Sequence, residues 1–247
     1  MSFDSSKHKA IESEDGSYTA YSVEFDEHYH STKDGALHES LSKHVLPALK
    51  HTHNKDKITI LDICFGLGFN TLATLHALKD SSQKVTIYSP EFDTSLVRSL
   101  IDFSYPDEFD GFNDIINALS LTQKYESEKI EIYIYLGDAR EFVRETDKRF
   151  DIIYQDAFSP SSNPMLWTDE YFKDIAALMK KDAILTTYSI ALPTRIALHE
   201  NGLNVYLQKG DGFRASTLAS KSKLQGYESV DVEHKMSCNP DVRSLKD

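Results

Sequence analysis

Apolar residues recur along this chain in two patterns: short continuous runs, and longer stretches in which they repeat every three or four residues. Continuous runs rich in β-branched residues are typical of buried parallel strands, whereas the spaced stretches are typical of amphipathic helices. The predicted strands are residues 58–63, 85–88, 130–136, 150–155, 183–188, 205–208 and 217–219. Because strands alternate with helices, we predict an α/β fold with a doubly wound sheet.

The chain before the first of these strands has its own pattern. An Asp15-Gly16 turn signal precedes an alternating stretch at residues 18–23, which predicts a hairpin. Apolar residues every four positions then predict a helix over about 36–50, which Pro47 is expected to kink. We therefore treat residues 1–50 as an N-terminal hairpin and helix extension that packs on the core and closes over the site.

Two further stretches depart from the alternation of strand and helix. Residues 102–127, after the second strand, mix aromatic and acidic residues, which predicts an irregular insertion with a short helix near 113–121 and a possible role as a lid. The polar C-terminal tail, residues 223–247, is expected to be loosely ordered at its end. The predicted core domain is thus residues 51–222.

The stretch Ile58–Asn70, ITILDICFGLGFN, leads from a buried strand through a glycine-containing turn into a helix. Gly66 and Gly68 allow a tight turn or a close ligand, and the helix N-terminus offers free N–H groups. This predicts a nucleotide-sized pocket. The dinucleotide-binding turn has glycine where this chain has Cys64, so a plain strand–helix corner remains the alternative.

Acidic residues follow three of the predicted strands. Glu91 ends the second strand, where a carboxylate can accept hydrogen bonds from ribose hydroxyls. Asp138 follows the third strand and can receive an adenine amino group, and Asp156 follows the fourth and faces the same crevice. No basic group is placed to bind a pyrophosphate. The combination therefore favours S-adenosylmethionine, which is cationic, over a dinucleotide.

Composition limits the other classes. The 247 residues fit one large domain or a domain with an appended subdomain, and no apolar run of membrane-spanning length occurs. The polar N-terminus lacks the core of a signal peptide, so we expect a cytoplasmic protein. Cys64 and Cys238 suggest neither a disulfide nor a zinc site. His28 and His30, and likewise His51 and His53, lie two apart, but no third ligand is evident and we predict no metal.

The formal net charge of -12 weighs against nucleic-acid binding unless basic residues cluster locally. The densest basic stretch is residues 43–57, KHVLPALKHTHNKDK, and a looser set lies toward the C-terminus. A basic surface patch and ordinary solvated helix ends are both compatible with this pattern. The loose set comprises Lys221, Lys223, Lys235, Arg243 and Lys246.

Several longer motifs, namely YHSTKDGALHES, ILDICFGLGFN, GDAREF, FDIIYQDAFSPSSNPMLWT and LTTYS, closely resemble the MnmC-like tRNA methyltransferases over roughly residues 15–222. The resemblance implies a Rossmann-like S-adenosylmethionine-dependent methyltransferase. It implies N-methylation of the 5-aminomethyl group of (2-thio)uridine at the tRNA wobble position. The best-known members are fused to a flavin-dependent oxidase; this chain has no room for one, which implies a stand-alone methyltransferase and a functional link to a separate enzyme that makes the aminomethyl precursor.

Carried over by position, the resemblance implies a cofactor site, an acceptor site and one catalytic residue, Asp156, beside the acceptor amine. The implied cofactor residues are Tyr29, Gly66, Gly68 and Asn70, with Glu91 at the ribose and Asp138 and Ala139 at the adenine. The implied acceptor residues are His30, Ser31, Gly35, Glu39, Phe158, Pro160, Trp167 and Arg214. Two departures are Cys64 in place of the family's first glycine, and Arg214 as the one remaining member of a basic cluster.

Asp156 is the residue that we expect to handle the proton of the acceptor amine. An alkyl ammonium has a pKa near 10, like that of lysine, so the attacking nitrogen must first lose a proton. We expect burial to raise the basicity of Asp156, allowing this carboxylate to bind the ammonium and accept or relay the proton. Aminopropyl transfer to a polyamine, small-amine methylation and a binding domain without activity are the alternatives.

Overall fold

The computed structural model describes residues 3, 5–210 and 212–247; residues 1, 2 and 4 of the predicted extension and residue 211 lie outside the described residues. A three-stranded antiparallel sheet comes first, formed by β1 (His8–Glu12), β2 (Tyr18–Ser22) and β3 (Glu27–His28). A large sheet follows. Its strands are β4 (Lys57–Ile63), β5 (Lys84–Glu91), β6 (Lys124–Glu126), β7 (Ile130–Leu136), β8 (Phe150–Gln155), β9 (Met179–Thr187), β10 (Asn204–Gln208), β11 (Ser216–Ser220) and β12 (Glu228–Ser229).

The large sheet has the order β12-β10-β11-β9-β8-β4-β5-β7-β6. The five central strands, β9, β8, β4, β5 and β7, are parallel, and the strands at both edges are antiparallel. The chain runs from β4 outward through β5 to β7, then returns to place β8 on the other side of β4. This reversal confirms the doubly wound fold and puts a ligand crevice beyond the carboxyl ends of β4 and β8.

Ten segments of the described chain are helical with α or π geometry. They are α1 (Ala36–Glu39), a π-helical turn (Ser40–Val45), α2 (Leu46–Thr52), α3 (Phe69–Ala77), α4 (Thr94–Ser99), α5 (Asn113–Thr122), α6 (Ala139–Glu145), α7 (Asp169–Leu178), α8 (Leu192–Glu200) and α9 (Val232–Cys238). Short 3-10 turns cover Leu100–Asp102, Asp107–Phe112 and Pro164–Leu166. None of the described helices is long and apolar enough to cross a membrane.

The two faces of the sheet each carry an apolar layer, because alternate residues of a strand point to opposite faces. Ile58 and Ile60 of β4 pack in one layer with residues of α2, α3, α4 and α5. Leu61 and Ile63 pack in the other with residues of α6, α7 and α8. The continuous apolar run of β4 is therefore explained by burial on both faces.

The predicted helix over 36–50 is present as α1, the π-helical turn and α2, and it contains an irregularity rather than a simple kink. Pro47 has no N–H to donate to the Lys43 carbonyl four residues earlier. The Leu46 N–H bonds the Leu41 carbonyl, five residues earlier, which closes a wider turn. The extra residue places Lys43, His44 and Val45 all in buried positions.

Residues 102–127 pack against the core rather than along the cavity. Phe103 and Phe109 are buried and pack around Phe69 at the start of α3, and the Tyr105 hydroxyl donates to the Leu67 carbonyl at 2.8 Å. No residue of this stretch lines the large cavity described below. Its aromatic residues, which suggested a mobile cover, instead fill the space between α3 and α5, and its last part forms β6.

The C-terminal segment is ordered, contrary to the expectation of a loose end. After α9, Leu245 pairs with Thr168, and the Asp247 carboxylate accepts hydrogen bonds from Arg140 and from the Thr168 hydroxyl. Lys246 forms an ion pair with Asp169 at 2.9 Å. A polar sequence was taken to indicate disorder, but here the polar side chains are held by partners on α6 and α7.

Candidate active site

A cavity of about 1010 Å³ opens at the carboxyl ends of the parallel strands. It is large enough for a nucleoside-sized ligand together with an acceptor group. Most of the predicted site residues line it, although they come from segments far apart in the chain. The lining includes Tyr29, His30, Ser31, Glu39, Gly66, Glu91, Asp138, Ala139, Asp156, Phe158 and Arg214.

The glycine turn after β4 forms one wall. Cys64, Gly66 and Gly68 all have positive φ, at 63°, 56° and 77°. A Cβ on Gly66 would lie 3.2 Å from the Tyr29 ring, so a side chain there would crowd both the ring and the ligand space. Cys64 lies in the left-handed region of backbone conformation, which favours glycine and costs of order 1 kcal/mol for a residue with a Cβ. The turn nevertheless forms with cysteine at this position.

Glu91 holds this turn in place. One carboxylate oxygen accepts the Gly66 N–H and the other accepts the Asp93 N–H, both at 2.8 Å. Burial raises the pKa of Glu91, and the backbone hydrogen bonds oppose that rise. Each oxygen retains a second lone pair that a ribose hydroxyl could use. The predicted ribose contact is therefore compatible with the geometry.

Asp138 and Ala139 form the neighbouring wall. The Asp138 side chain caps α6, with Oδ1 accepting the N–H groups of Arg140 and Glu141. Both capping bonds use the same oxygen, so Oδ2 can still accept from an exocyclic amine. Glu91, Asp93 and Asp138 make this part of the cavity acidic, which suits the cationic S-adenosylmethionine. When bound, that cofactor supplies an electrophilic sulfonium methyl group.

Asp156 lies where β8 ends, next to the glycine turn. Ile63 of β4 pairs with Gln155 of β8, so the residues that follow both strands meet in the crevice. Asn70 Nδ2 donates to Asp156 Oδ2 at 2.8 Å, and His44 Nε2 lies 3.4 Å from Asp156 Oδ1. The Asp156 carboxylate therefore lines the same cavity as the glycine turn and is held from behind by Asn70.

The predicted rise in the basicity of Asp156 is wrong. Burial does raise the pKa of this carboxyl group, but the adjacent His44 imidazole, when it carries a charge, and the hydrogen bond from Asn70 outweigh it. The net result holds the pKa of Asp156 below its ordinary range. Asp156 is thus ionised at neutral pH, and it is better suited to binding an ammonium group than to storing a proton.

The motif before the first core strand folds over the cavity. The Tyr29 ring packs edge-on against Phe158, with ring centroids 4.9 Å apart. The Ser31 N–H donates to Glu39 Oε2 at 2.7 Å, which fixes the carboxylate that lines the cavity. His30 is buried, with Nδ1 3.2 Å from the Thr19 hydroxyl; burial lowers the pKa of His30 and favours the neutral imidazole.

Five predicted site residues do not line the cavity. Gly68 and Asn70 lie behind the turn, and Asn70 reaches Asp156 rather than the cofactor space. Gly35 has φ 79°, and a Cβ there would overlap Asp15, so its role is to fit the β1–β2 turn. Pro160 lies outside the lining. Trp167 is fully buried and its indole N–H donates to the Phe158 carbonyl at 2.8 Å. It therefore supports, from the protein interior, the loop of residues 156–167, which we name the acceptor loop for its predicted role.

Sequence reasoning missed the roles of Lys43 and His44, which belonged to the predicted basic patch. Lys43 is buried, lines the cavity and forms an ion pair with Glu39. His44 is fully buried beside Asp156. Lys55 is also engaged, between Asp151 and Asp182. Lys43 and His44 are therefore not available to a surface patch, whereas Lys50 and Lys57 of the same stretch are exposed. The interruption of the helix by Pro47 was the available signal.

Metal ligation has no support in the described part of the chain. No group of three or more His, Cys, Asp or Glu side chains there is arranged to hold an ion. Cys64 and Cys238 are both free thiols.

Comparison with known proteins shows which sequences and folds this chain resembles. A family model described as S-adenosyl-L-methionine-dependent methyltransferase matches residues 112–223. The crystal structure of MNMC2 from Aquifex aeolicus superimposes with a TM-score of 0.87 and 28% identity, covering 99% of this chain and 80% of that one. In fold and in sequence the chain is thus similar to methyltransferases that use S-adenosylmethionine.

Among curated proteins, an uncharacterized protein of Methanocaldococcus jannaschii is 32% identical over 220 residues, covering 87% of this chain and 60% of that protein. The bifunctional MnmC of Ralstonia nicotianae, a tRNA 5-methylaminomethyl-2-thiouridine biosynthesis protein, is 29% identical over 218 residues. Those residues cover 79% of this chain and 31% of that protein. The chain is therefore related to the methyltransferase part of the MnmC proteins and spans about a third of their length.

A probable spermidine synthase from Corynebacterium glutamicum also superimposes, with a TM-score of 0.59 and 11% identity. It covers 97% of this chain and 92% of that one. At this identity the likeness extends to the fold alone, and it does not identify an acceptor.

Proposed function

We propose that the chain transfers the methyl group of S-adenosylmethionine to the amine of a 5-aminomethyl (2-thio)uridine at the tRNA wobble position. The observation that carries this proposal is the ionised Asp156 carboxylate, which lines the same cavity as Gly66 of the glycine turn and Phe158. An ammonium group binds to such a carboxylate, and methyl transfer then depends mainly on alignment of the nitrogen with the methyl carbon.

The acceptor side of the cavity is suited to a planar base. Phe158 stacks on Phe25 with ring centroids 4.7 Å apart, and both side chains line the cavity. Aromatic rings of this kind stack with unpaired bases. Lys33 and Arg214 are exposed and also line the cavity, where each can contact a phosphate. In our proposal these two cations provide local attraction for RNA on a chain of net charge -12.

The acceptor loop is held by the N-terminal extension. The Ser159 N–H and hydroxyl both donate to the Glu27 carboxylate, at 3.1 and 2.9 Å. The Tyr188 hydroxyl donates to the Ala157 carbonyl at 2.9 Å. These contacts fix the loop that follows Asp156, and in our proposal they set the position of the base relative to the carboxylate.

The test is transfer of labelled methyl from S-adenosylmethionine to bulk tRNA that carries 5-aminomethyl uridines. We expect label in the wobble nucleoside, and its loss with Asp156→Asn. Putrescine and spermidine, with S-adenosylmethionine or its decarboxylated form, serve as parallel acceptors. Label or aminopropyl transfer confined to these small amines would overturn the tRNA proposal in favour of small-amine chemistry.

A further inference from the structure

His44 is a titratable residue at the centre of the site that the proposed reaction does not yet use. It is fully buried and does not line the cavity, so it can act on a substrate only through another group. Nε2 lies 3.4 Å from Asp156 Oδ1, and Nδ1 lies 2.9 Å from the Thr186 hydroxyl. The imidazole is therefore held at one nitrogen and faces the carboxylate with the other.

His44 Nε2 faces Asp156 Oδ1 without forming a conventional hydrogen bond to it. At 3.4 Å the contact is longer than an ordinary N–H···O hydrogen bond, and among the described atoms Nε2 is a buried nitrogen without a conventional hydrogen-bond partner. Asn70 already donates to Asp156 Oδ2. Oδ1 is consequently the oxygen that can be shared between the acceptor and His44.

The proposed reaction requires a group that accepts the proton lost by the acceptor ammonium. With a pKa near 10, only about one alkyl amine in 10³ is unprotonated at pH 7. Asp156 is ionised because of its surroundings, so it binds the ammonium well but retains a proton poorly. A base that adjoins this carboxylate would remove that obstacle.

We propose that His44 receives, through Asp156 Oδ1, the proton that the acceptor ammonium loses. This inference rests on the proposed function. An N–H bond of the ammonium breaks and leaves its electron pair on nitrogen; the proton moves to Oδ1 and then to His44 Nε2. The carboxylate is regenerated, the imidazole becomes an imidazolium ion, and the neutral amine beside Asp156 can attack. Methyl transfer to the neutral amine gives a secondary ammonium ion and a neutral thioether, so one proton is left over; after the product departs, it passes from His44 through Asp156 Oδ1 to solvent water in the cavity.

Several titratable or charged groups surround His44. Asp156 and the buried Asp62 are the acidic groups near it, and His30 is the other imidazole. Lys43 precedes His44 in the same turn, but its charge is paired with Glu39. Tyr154 packs edge-on to the imidazole, with ring centroids 6.0 Å apart, and Thr186 adds a hydroxyl. A proton received at Nε2 therefore comes to lie beside the Asp156 carboxylate.

His30 is the other imidazole near Asp156, and it is the poorer candidate. Its side chain lines the cavity and Nδ1 is engaged with Thr19. Burial lowers the pKa of His30, so it takes up a proton less readily near neutral pH. The two histidines also differ in geometry, because His44 has the direct contact with Asp156 Oδ1.

The first experiment is the pH dependence of single-turnover methyl transfer in His44→Gln. Glutamine can donate a hydrogen bond to Asp156 but cannot store a proton. We expect a loss on the order of 10²-fold at pH 7 that narrows as the pH rises to 9, where more of the amine is already free. His44→Asn should behave alike, and His76→Gln, which removes a partly exposed histidine from α3, should match the wild type. An equal loss at every pH, or no loss, would overturn the proposal.

A second experiment needs neither cofactor nor tRNA. The pKa of Asp156 is measured by carboxyl ¹³C NMR in the wild-type protein and in His44→Gln. The direct coupling of the two groups requires the Asp156 pKa to rise in the variant, because a cationic neighbour has been removed. An unchanged Asp156 titration contradicts the coupling even when tRNA methylation is intact. Coupled titration in a protein that methylates no tRNA would instead locate the failure in the proposed function.

Discussion

Asn70 Nδ2 lies 2.8 Å from Asp156 Oδ2, and this hydrogen bond joins the helix that follows the cofactor turn to the carboxylate on the acceptor side. The Asn70 side chain also lies 3.5 Å from Asp62, so three polar residues form a row behind the turn. The resemblance implies that Asn70 binds the cofactor. Its side chain instead orients the residue that is to bind the acceptor.

We expect Asp156→Ala to reduce methyl transfer by about 10² to 10³-fold while cofactor affinity stays within about threefold, because the lost carboxylate contacts the acceptor. Asn70→Ala should give a smaller reduction of the same kind. The measurements are single-turnover transfer to tRNA and calorimetric titration with S-adenosylmethionine. A comparable loss of transfer and cofactor binding in Asp156→Ala would show that the carboxylate serves the cofactor instead.

Glu91→Ala should weaken cofactor binding more than it slows methyl transfer. Removing this carboxylate leaves the N–H groups of Gly66 and Asp93 without their acceptor and removes the predicted ribose contact. We expect cofactor affinity to fall by about 10 to 100-fold, equivalent to roughly 1.4 to 2.7 kcal/mol, with a smaller change in the rate at saturating cofactor. Thermal shift with S-adenosylmethionine measures the effect, and Glu126→Ala, an exposed carboxylate on β6, is the control. Unchanged affinity would exclude Glu91 from the cofactor site.

The site residues at strand ends could be predicted from the sequence because the sequence also predicts the strands that they follow. Runs such as residues 58–63 and 150–155 are apolar enough to fix their register, and parallel strands bring the following residues, among them Asp156, to one edge. All of the predicted core strands are present, and each agrees with the structure to within a few residues. The acidic residues at their ends line one cavity, as expected.

His44 and Trp167 show why other roles could not be predicted. A regular helical period assigns side chains to a core face or a solvent face, but the π-helical turn before Pro47 shifts that assignment and buries both Lys43 and His44. An aromatic residue on a loop can face a ligand or support the loop from behind, and the sequence does not distinguish these. The order of the C-terminal segment depends on contacts such as Arg140 with Asp247, 107 positions apart.

Trp167→Phe tests the supporting role of the indole. The change removes the N–H donor to the Phe158 carbonyl but keeps an aromatic ring in the buried site. We expect a loss of about 1 to 3 kcal/mol in the free energy of unfolding and a several-fold higher KM for tRNA, because Phe158 is less well fixed. Cofactor affinity should be unchanged.

The control for Trp167→Phe is Phe150→Leu, a buried change at the start of β8, away from the acceptor loop. It should lower stability without raising the KM for tRNA. Equal KM values in the two variants would mean that Trp167 contributes to stability alone.

Asp62→Asn should change the pH dependence of stability. Burial raises the pKa of Asp62 to about 7, with hydrogen bonds from Thr71 and Asn70 and the charge of His44 opposing the rise and the charge of Asp156 adding to it. Since the folded pKa exceeds the unfolded value of 3.8, the protonated group's contribution to stability is complete below about pH 4 and is lost as the pH rises through 7. Asparagine resembles the protonated acid, so its advantage over the wild type should grow between pH 5 and 8 by on the order of 2 to 3 kcal/mol.

Urea unfolding of both proteins at pH 5 and pH 8 measures this difference. Asp151→Asn is the matched control, since Asp151 is equally buried but paired with Lys55 and Lys180, which lower its pKa. A group whose folded pKa lies below its unfolded value is ionised in both states over this range. Asp151→Asn should therefore lower the free energy of unfolding by a similar amount at both pH values. If Asp62→Asn also showed a constant difference, Asp62 would be ionised in the folded protein throughout, and Asp62 and Asp156 would be two adjacent negative charges facing His44.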